Sequence, residues 1–293
     1  MINNKLLYND KQIINYHIMI NEDYKKKGLT FIHANGFPPI SYNTILDELS
    51  KTYNVDNFLL RPLWSKKTDP KKLKDWNVFC EDYEVFLNNY KDKVIGLGHS
   101  IGGNIVLHTA IKNPKLFSKI ILLDPTLFPP KIILMWKIIN LFKLQHYFLD
   151  LSKNTKNKTM FYDSIDQMFQ NYRKKPIFQN INDEILTNYI KSITKKGNGE
   201  IRITYSNNWE EQIYNKGLLK DNYIWKNIKN LSIPCLIIYV QNSNAFPQSS
   251  IEKIKKINKN IQFKSLDNLT HLFPLENPEI TTKLINQFIE KSD

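Results

Sequence analysis

Four of the chain's nine glycines lie between Gly96 and Gly103, around a serine, in the segment Val94-Ile95-Gly96-Leu97-Gly98-His99-Ser100-Ile101-Gly102-Gly103-Asn104-Ile105-Val106-Leu107. An apolar, β-rich run leads directly into a helical pattern, so Ser100 stands at a strand-to-helix bend with a glycine two positions away on each side. Such a bend presses strand end and helix start together, and Gly98 and Gly102 let the backbones approach. It lifts the Ser100 hydroxyl above the sheet and turns the N–H of Ile101, with the positive end of the helix, toward the same point. A bare Gly-x-Ser-x-Gly recurs by chance in many chains. Set between a strand and a helix it marks Ser100 as a candidate nucleophile, the plain alternative being a glycine-rich structural turn.

The surrounding chain repeats this strand-then-helix rhythm. Strands are expected at Ile13–Ile20, Leu29–His33, Val55–Leu60, Val94–Gly98, Lys119–Leu123, Cys235–Val240 and Ile261–Ser265. Helices are expected at Tyr42–Lys51, Asp75–Tyr90, Gly102–Lys112, Gln248–Ile257 and Pro278–Lys291, with Asp75 as an N-cap and Pro278 in a first turn. That alternation predicts an α/β fold, a mostly parallel sheet flanked by helices. From Thr126 to about Asn230 the rhythm stops, and the chain turns helical, aromatic and rich in Lys and Asn, with turn signals at Pro129-Pro130 and Gly197-Asn198-Gly199. The expected organisation is a core of residues 1–125 and 231–293 with a helical cap of residues 126–230, inserted over the strand ends where α/β sheets place ligands.

An apolar fraction of 42%, with 16 Phe, 15 Tyr and 5 Trp, is enough for a substantial core. The net charge of +13 raises nucleic acid as a partner, but the lysines are scattered. The densest runs, Lys25–Lys27, Lys66–Lys72 and Lys253–Lys259, lack interleaved aromatics, so no nucleic-acid partner is expected. Cys80 and Cys235 are the only cysteines, which gives no support for a disulfide framework or a zinc site, and no metal or cofactor is expected. Met1–Asp10 lacks the apolar core of a secretory leader, so a reducing, cytoplasmic location is expected. Ile132–Leu144 is interrupted by Lys137 and Lys143 and too short to span a bilayer, and reads as a buried or cap helix. Composition is silent on oligomeric state.

Two further segments bear on Ser100. Phe31-Ile32-His33-Ala34-Asn35-Gly36-Phe37-Pro38-Pro39 follows a strand and precedes a helix, the place of a second oxyanion N–H, donated by Phe37 or Asn35; a simple Asn-Gly turn is the alternative. His271 lies after the last strand and before the C-terminal helix, placed to be the base that a weakly nucleophilic hydroxyl needs. Of the other histidines, His17 sits in an early strand, His33 and His99 belong to the motifs, His108 lies in the helix after the bend, and His146, in the cap, is the weaker rival. The stretch after the next strand, Gln241-Asn242-Ser243-Asn244-Ala245-Phe246-Pro247, holds no acid, with Asn244 or Ser243 where one is expected. An amide can orient an imidazole but does not stabilise the imidazolium, and an Asp-to-Asn change in a serine triad costs about 10⁴ in kcat. Asp124, ending the strand after the bend helix, is the favoured carboxylate; Asn244 is the alternative third member, and Asp267 a further candidate expected to point away.

Taken together, the His33–Pro38 loop, the Gly98–Gly103 bend, Leu123-Asp124-Pro125 and the Asn-rich loop after the cap resemble the α/β-hydrolase superfamily over nearly the whole chain, and within it capped bacterial serine hydrolases of unassigned substrate. The cap segments Tyr172–Phe178 and Trp209–Tyr214 look similar to theirs as well. The resemblance implies the α/β-hydrolase fold, the Ser/His pair and the oxyanion loop; those relatives tend to carry an Asp in the post-cap loop, and pancreatic-type lipases carry one where Asp124 stands. Haloalkane dehalogenases and epoxide hydrolases are set aside because they need an Asp at position 100. The expected activity is an esterase- or thioesterase-like serine hydrolase cleaving a small substrate with an apolar acyl or alcohol portion. Amide or carbon-carbon bond hydrolysis by the same pair, or a catalytically silent hydrolase-fold binding protein, are the alternatives.

Overall fold

The computed structural model describes residues 3–9, 12–18, 26–64, 68–142, 155, 158–197, 199–217 and 222–291. Its strands are β1 (Asn3–Asn9), β2 (Gln12–Ile18), β3 (Gly28–Ile32), β4 (Asn54–Phe58), β5 (Val94–His99), β6 (Phe117–Leu123), β7 (Phe161–Tyr162), β8 (Thr194–Lys196), β9 (Ile201–Ile203), β10 (Cys235–Val240) and β11 (Ile261–Leu266). Its helices are α1 (Asn43–Ser50), α2 (Asn77–Leu87), α3 (Ile101–Lys112), α4 (Pro130–Leu141), α5 (Ile165–Arg173), α6 (Asp183–Ser192), α7 (Asn207–Lys216), α8 (Asn222–Asn227), α9 (Gln248–Ile257), α10 (Phe273–Glu276) and α11 (Pro278–Glu290).

The main sheet has eight strands in the order β1-β2-β4-β3-β5-β6-β10-β11. The first two form an antiparallel hairpin set antiparallel on β4, and every later pair is parallel. Parallel strands are buried on both faces, which is why β10 and the Ile120–Leu123 end of β6 read as continuous apolar runs. Successive residues alternate between two cores: Ile120, Leu122 and Ile237 face α2, α3 and α9, whereas Ile121, Leu123 and Ile238 face α1 and α11.

After β4 the chain crosses to the far side of β3 to form β5, so the strand order reverses between β3 and β5. The crevice at the carboxyl ends of strands at such a reversal is where α/β sheets hold ligands. The loop after β3 and Ser100 both fall there.

The sequence expectations for the sheet hold to within a few residues, with β1 as an added strand. Asn3–Asn9 carries too few apolar residues to announce itself, and the hairpin with β2 supplies its pairing. Asp75 precedes the N-cap position, which Trp76 occupies, but its carboxylate still accepts from Asn77 N–H at 2.9 Å. Ile132–Leu144, expected as a buried or cap helix, is helical through Leu141 in α4, with Ile133, Trp136 and Ile139 buried and Leu134, Met135 and Ile138 exposed; residues 143 and 144 lie outside the described residues. Among the described residues no helix is long and apolar enough to cross a membrane.

Between β6 and β10 the sequence predicts a helical segment over residues 126–230. It also contains a three-stranded antiparallel sheet, ordered β7-β9-β8. The strands are two or three residues long, too short for a period to show in sequence. Gly197 N–H donates to Glu200 O across the turn joining β8 and β9, and Gly199 takes φ +85°; Asn198 lies outside the described residues. Indole N–H groups tie this segment to the sheet side, Trp76 donating to Ile213 O at 3.0 Å and Trp209 to Thr68 O at 3.1 Å, while Trp225 donates to Phe128 O at 2.7 Å within the segment. Cys80 and Cys235 are both buried and are not joined in a disulfide.

Candidate active site

Ser100 occupies φ 57°, ψ −117°, a backbone conformation costly for any residue with a side chain, between β5 and α3. The packing explains the flanking glycines. A methyl on Gly98 would lie 2.4 Å from the Gly102 carbonyl carbon, and one on Gly102 would lie 2.2 Å from Ile32 O. The strained residue is held on both sides: Ser100 N–H donates to Leu123 O at 3.0 Å and Thr126 N–H to Ser100 O at 3.0 Å, while Asn104 Nδ2 donates to Thr126 O at 2.7 Å.

His271 is brought to it by the loop after β11, where Asn268 takes φ 59°, a left-handed conformation that asparagine tolerates. Glu276 ties the loop down, its carboxylate accepting from both the N–H and the hydroxyl of Thr270. His271 Nε2 lies 3.0 Å from Ser100 Oγ, and Nδ1 lies 2.5 Å from Asp124 Oδ2. A carboxylate accepts, so Nδ1 carries the proton and Nε2 presents its lone pair to the Ser100 hydroxyl. Ser100 is partly exposed, and Asp124 is fully buried.

Asp124 sits at φ 39° just past β6 and is anchored by its neighbours in β10 and the following loop. Its N–H donates to Ile238 O at 2.7 Å, and Ser243 Oγ donates to Oδ2 at 2.5 Å. Ser243 in turn accepts from the N–H groups of Ala245 and Phe246, which fixes the direction of its own proton. Asn244 is exposed, with no hydrogen bond to His271 among the described residues. Asp267 faces the surface, where Gln241 Nε2 donates to it at 2.9 Å.

The Ala34–Phe37 segment forms a turn closed by Phe37 N–H to Ala34 O at 3.1 Å, with Gly36 at φ +81° supplying the positive φ that the third position of a type II turn requires. The N–H groups of Asn35 and Ile101 have no acceptor among the described residues.

Three groups are brought to the site only by the fold. Thr126 Oγ1 lies 3.1 Å from Ser100 Oγ; with the serine proton directed at His271, the threonine hydroxyl is the donor. His99 Nε2 meets the carbonyl of His271 at 2.9 Å and must be the protonated nitrogen, so Nδ1 accepts from Tyr42 OH at 2.7 Å, and Tyr42 takes the N–H of Ala34 at 3.4 Å. One chain of hydrogen bonds therefore links the turn after β3, the bend and the His271 loop. Burial, reinforced by His271, holds the His99 imidazole well below the usual histidine range, and burial lowers His33 to about 4. The one sequence signal for this chain was the histidine directly before Ser100. His17 is described only as backbone, and His146 lies outside the described residues.

A parallel sheet with a serine, an imidazole and a carboxylate hydrogen-bonded in series at its strand ends defines a hydrolase-class protein. The chain belongs to the alpha/beta hydrolase fold family, which it matches over residues 62–278. It is similar to a type I acyl-CoA thioesterase of Penicillium brevicompactum, 29% identical over 150 residues, covering 42% of this chain and 34% of that protein. A second type I acyl-CoA thioesterase of the same fungus is 31% identical over 124 residues, 36% of this chain and 28% of the relative. The chain thus spans about a third of the length of these curated relatives. Among solved structures it resembles an E-2-(acetamidomethylene)succinate hydrolase, with a TM-score of 0.80 at 17% identity over 99% of this chain and 100% of that one. The thioesterase domain from the curacin biosynthetic pathway superposes with a TM-score of 0.74 at 14% identity, over 98% of this chain and 99% of that one. At these identities the likeness is one of fold.

Proposed function

We propose that the protein is a serine hydrolase that cleaves a small carboxylic ester or thioester through an acyl-enzyme. The observation that carries this reading is the uninterrupted chain Ser100 Oγ, His271 Nε2, His271 Nδ1, Asp124 Oδ2, with contacts of 3.0 and 2.5 Å. As Ser100 attacks the acyl carbon, its proton passes to Nε2, and Asp124 stabilises the resulting imidazolium. The oxyanion is received by the N–H of Ile101 and an amide of the 35–37 turn; that of Asn35 is open, whereas that of Phe37 already closes the turn. The proton on Nε2 then goes to the departing alkoxide or thiolate. Water attacks the acyl-enzyme with His271 again as base, releasing the acid and restoring Ser100.

The segment between β6 and β10 acts in this reading as a cap. Tyr189 stacks on Phe37 at 4.8 Å and Tyr205 OH donates to Asn35 Oδ1 at 3.1 Å, so its aromatic residues roof the turn beside the nucleophile and exclude water. The thioesterase names of the curated relatives favour thioesters within the class. A fluorophosphonate probe tests the proposal: labelling that maps to Ser100, is lost in Ser100→Ala and falls in His271→Ala is expected. An unlabelled, folded wild-type protein would leave a binding protein on a hydrolase fold.

A further inference from the structure

The roof over the 35–37 turn is not only aromatic. Glu210 lies directly on that turn: its carbonyl accepts from Asn35 Nδ2 at 3.1 Å, and a methyl placed on Gly36 would come within 3.3 Å of Glu210 Oε1. Lys158 Nζ meets Glu210 Oε2 at 3.0 Å, each side chain only 12% exposed. Lys175 is half-buried, with its ammonium 3.9 Å from the centroid of the Tyr172 ring, and it forms no ion pair among the described residues.

Two ammonium groups thus stand near one carboxylate, which pairs with Lys158 alone among the described residues. Burial, and then Lys158, push the Lys175 ammonium below the usual lysine range, with Glu210 opposing. The ring face offsets only part of that cost. A second group is also unsatisfied: Tyr172 is 1% exposed, and its hydroxyl is buried with no hydrogen-bond partner among the described residues. A buried hydroxyl without a partner costs free energy, and so does a half-buried cation without an anion. One planar, singly charged group with two acceptor oxygens satisfies both.

We propose that Lys175 and the Tyr172 hydroxyl, backed by the Lys158–Glu210 pair, receive a carboxylate carried by the substrate at the end remote from the bond that is cleaved. The substrate part of this inference rests on the hydrolase reading; the anion site itself does not. It places the site close to the oxyanion turn through two contacts: Tyr172 packs on Tyr189 at 6.1 Å between ring centroids, and Tyr189 stacks on Phe37.

The test compares monomethyl glutarate with the neutral methyl pentanoate as substrates, and glutarate with the neutral glutaramide as ligands by calorimetry. Wild type is expected to favour monomethyl glutarate at least about tenfold in kcat/KM, as one charge-assisted contact provides. Lys175→Met and, separately, Tyr172→Phe lower that ratio and weaken glutarate binding in parallel, while Lys264→Met, which removes an exposed charge on β11, leaves both unchanged. The proposal is overturned if wild type shows no preference and binds glutarate no tighter than glutaramide, or if Lys175→Met and Lys264→Met act alike. Glutarate binding that depends on Lys175, without fluorophosphonate labelling of Ser100, would keep the anion site and remove the hydrolase reading.

Discussion

Ser243 Oγ donates to Asp124 Oδ2 at 2.5 Å, the same oxygen that meets His271 Nδ1. The position after β10 where related hydrolases place their acid is filled here by a hydroxyl that serves an acid on the preceding strand of the sheet. Asp124→Asn keeps the shape but gives His271 Nδ1 no carboxylate, and kcat falls about 10⁴-fold. Ser243→Ala removes one donor to the carboxylate, worth about 1–2 kcal/mol, and lowers kcat about tenfold. Asn244→Ala leaves kcat within about twofold, since its side chain is exposed. Steady-state turnover of a p-nitrophenyl ester by the three variants distinguishes them; a larger loss in Asn244→Ala than in Asp124→Asn would invert the assignment.

His99 joins Tyr42 to the His271 carbonyl inside the core, so truncating the chain of hydrogen bonds leaves a buried polar atom alone. Tyr42→Phe strands His99 Nδ1 and the Ala34 N–H and costs about 1–3 kcal/mol. Urea denaturation measures the loss, and a midpoint equal to that of wild type would show that the hydroxyl carries no net stability.

Folding stability depends on buried neutral imidazoles. His33 is held at about 4 by burial, below the 6.5 of an exposed histidine, and His99 is lowered in the same sense. Below pH 6.5 the unfolded chain binds protons that the folded one refuses, so this stability is complete above about 6.5 and is lost as pH falls toward 4. His33 alone accounts for about 3 kcal/mol of that loss. Unfolding midpoints between pH 7 and 4.5 should fall steeply, and His33→Asn should flatten the slope; a slope unchanged by that substitution would assign the dependence elsewhere.

Gly98→Ala and Gly102→Ala drive a methyl into backbone at 2.4 and 2.2 Å, with nothing flexible to yield. Each should cost on the order of 3 kcal/mol or more. Gly197→Ala meets only Glu200 O at 3.9 Å and should change stability by less than about 0.5 kcal/mol. Thermal melts of the three variants test the contrast, and similar losses at all three sites would contradict it.

The parallel sheet was legible because burial on both faces writes itself as unbroken apolar runs such as Ile120–Leu123 and Leu236–Val240. The bend at Ser100 was legible for a local reason: its geometry excludes side chains at positions 98 and 102, so glycine must stand there in the sequence. The small β7-β9-β8 sheet was not, since strands this short carry no period and are stabilised by packing from elsewhere.

Sequence by itself determined the fold class and the neighbourhood of each candidate site residue, because local backbone geometry and apolar patterning act over a few residues. Tertiary structure decided which carboxylate faces His271, how Ser243 and His99 are used, and that Lys175 has no anion paired with it among the described residues. Those relations join atoms more than a hundred positions apart along the chain, or set one charge against another across a folded surface, and no local pattern of residues records a distance of that kind.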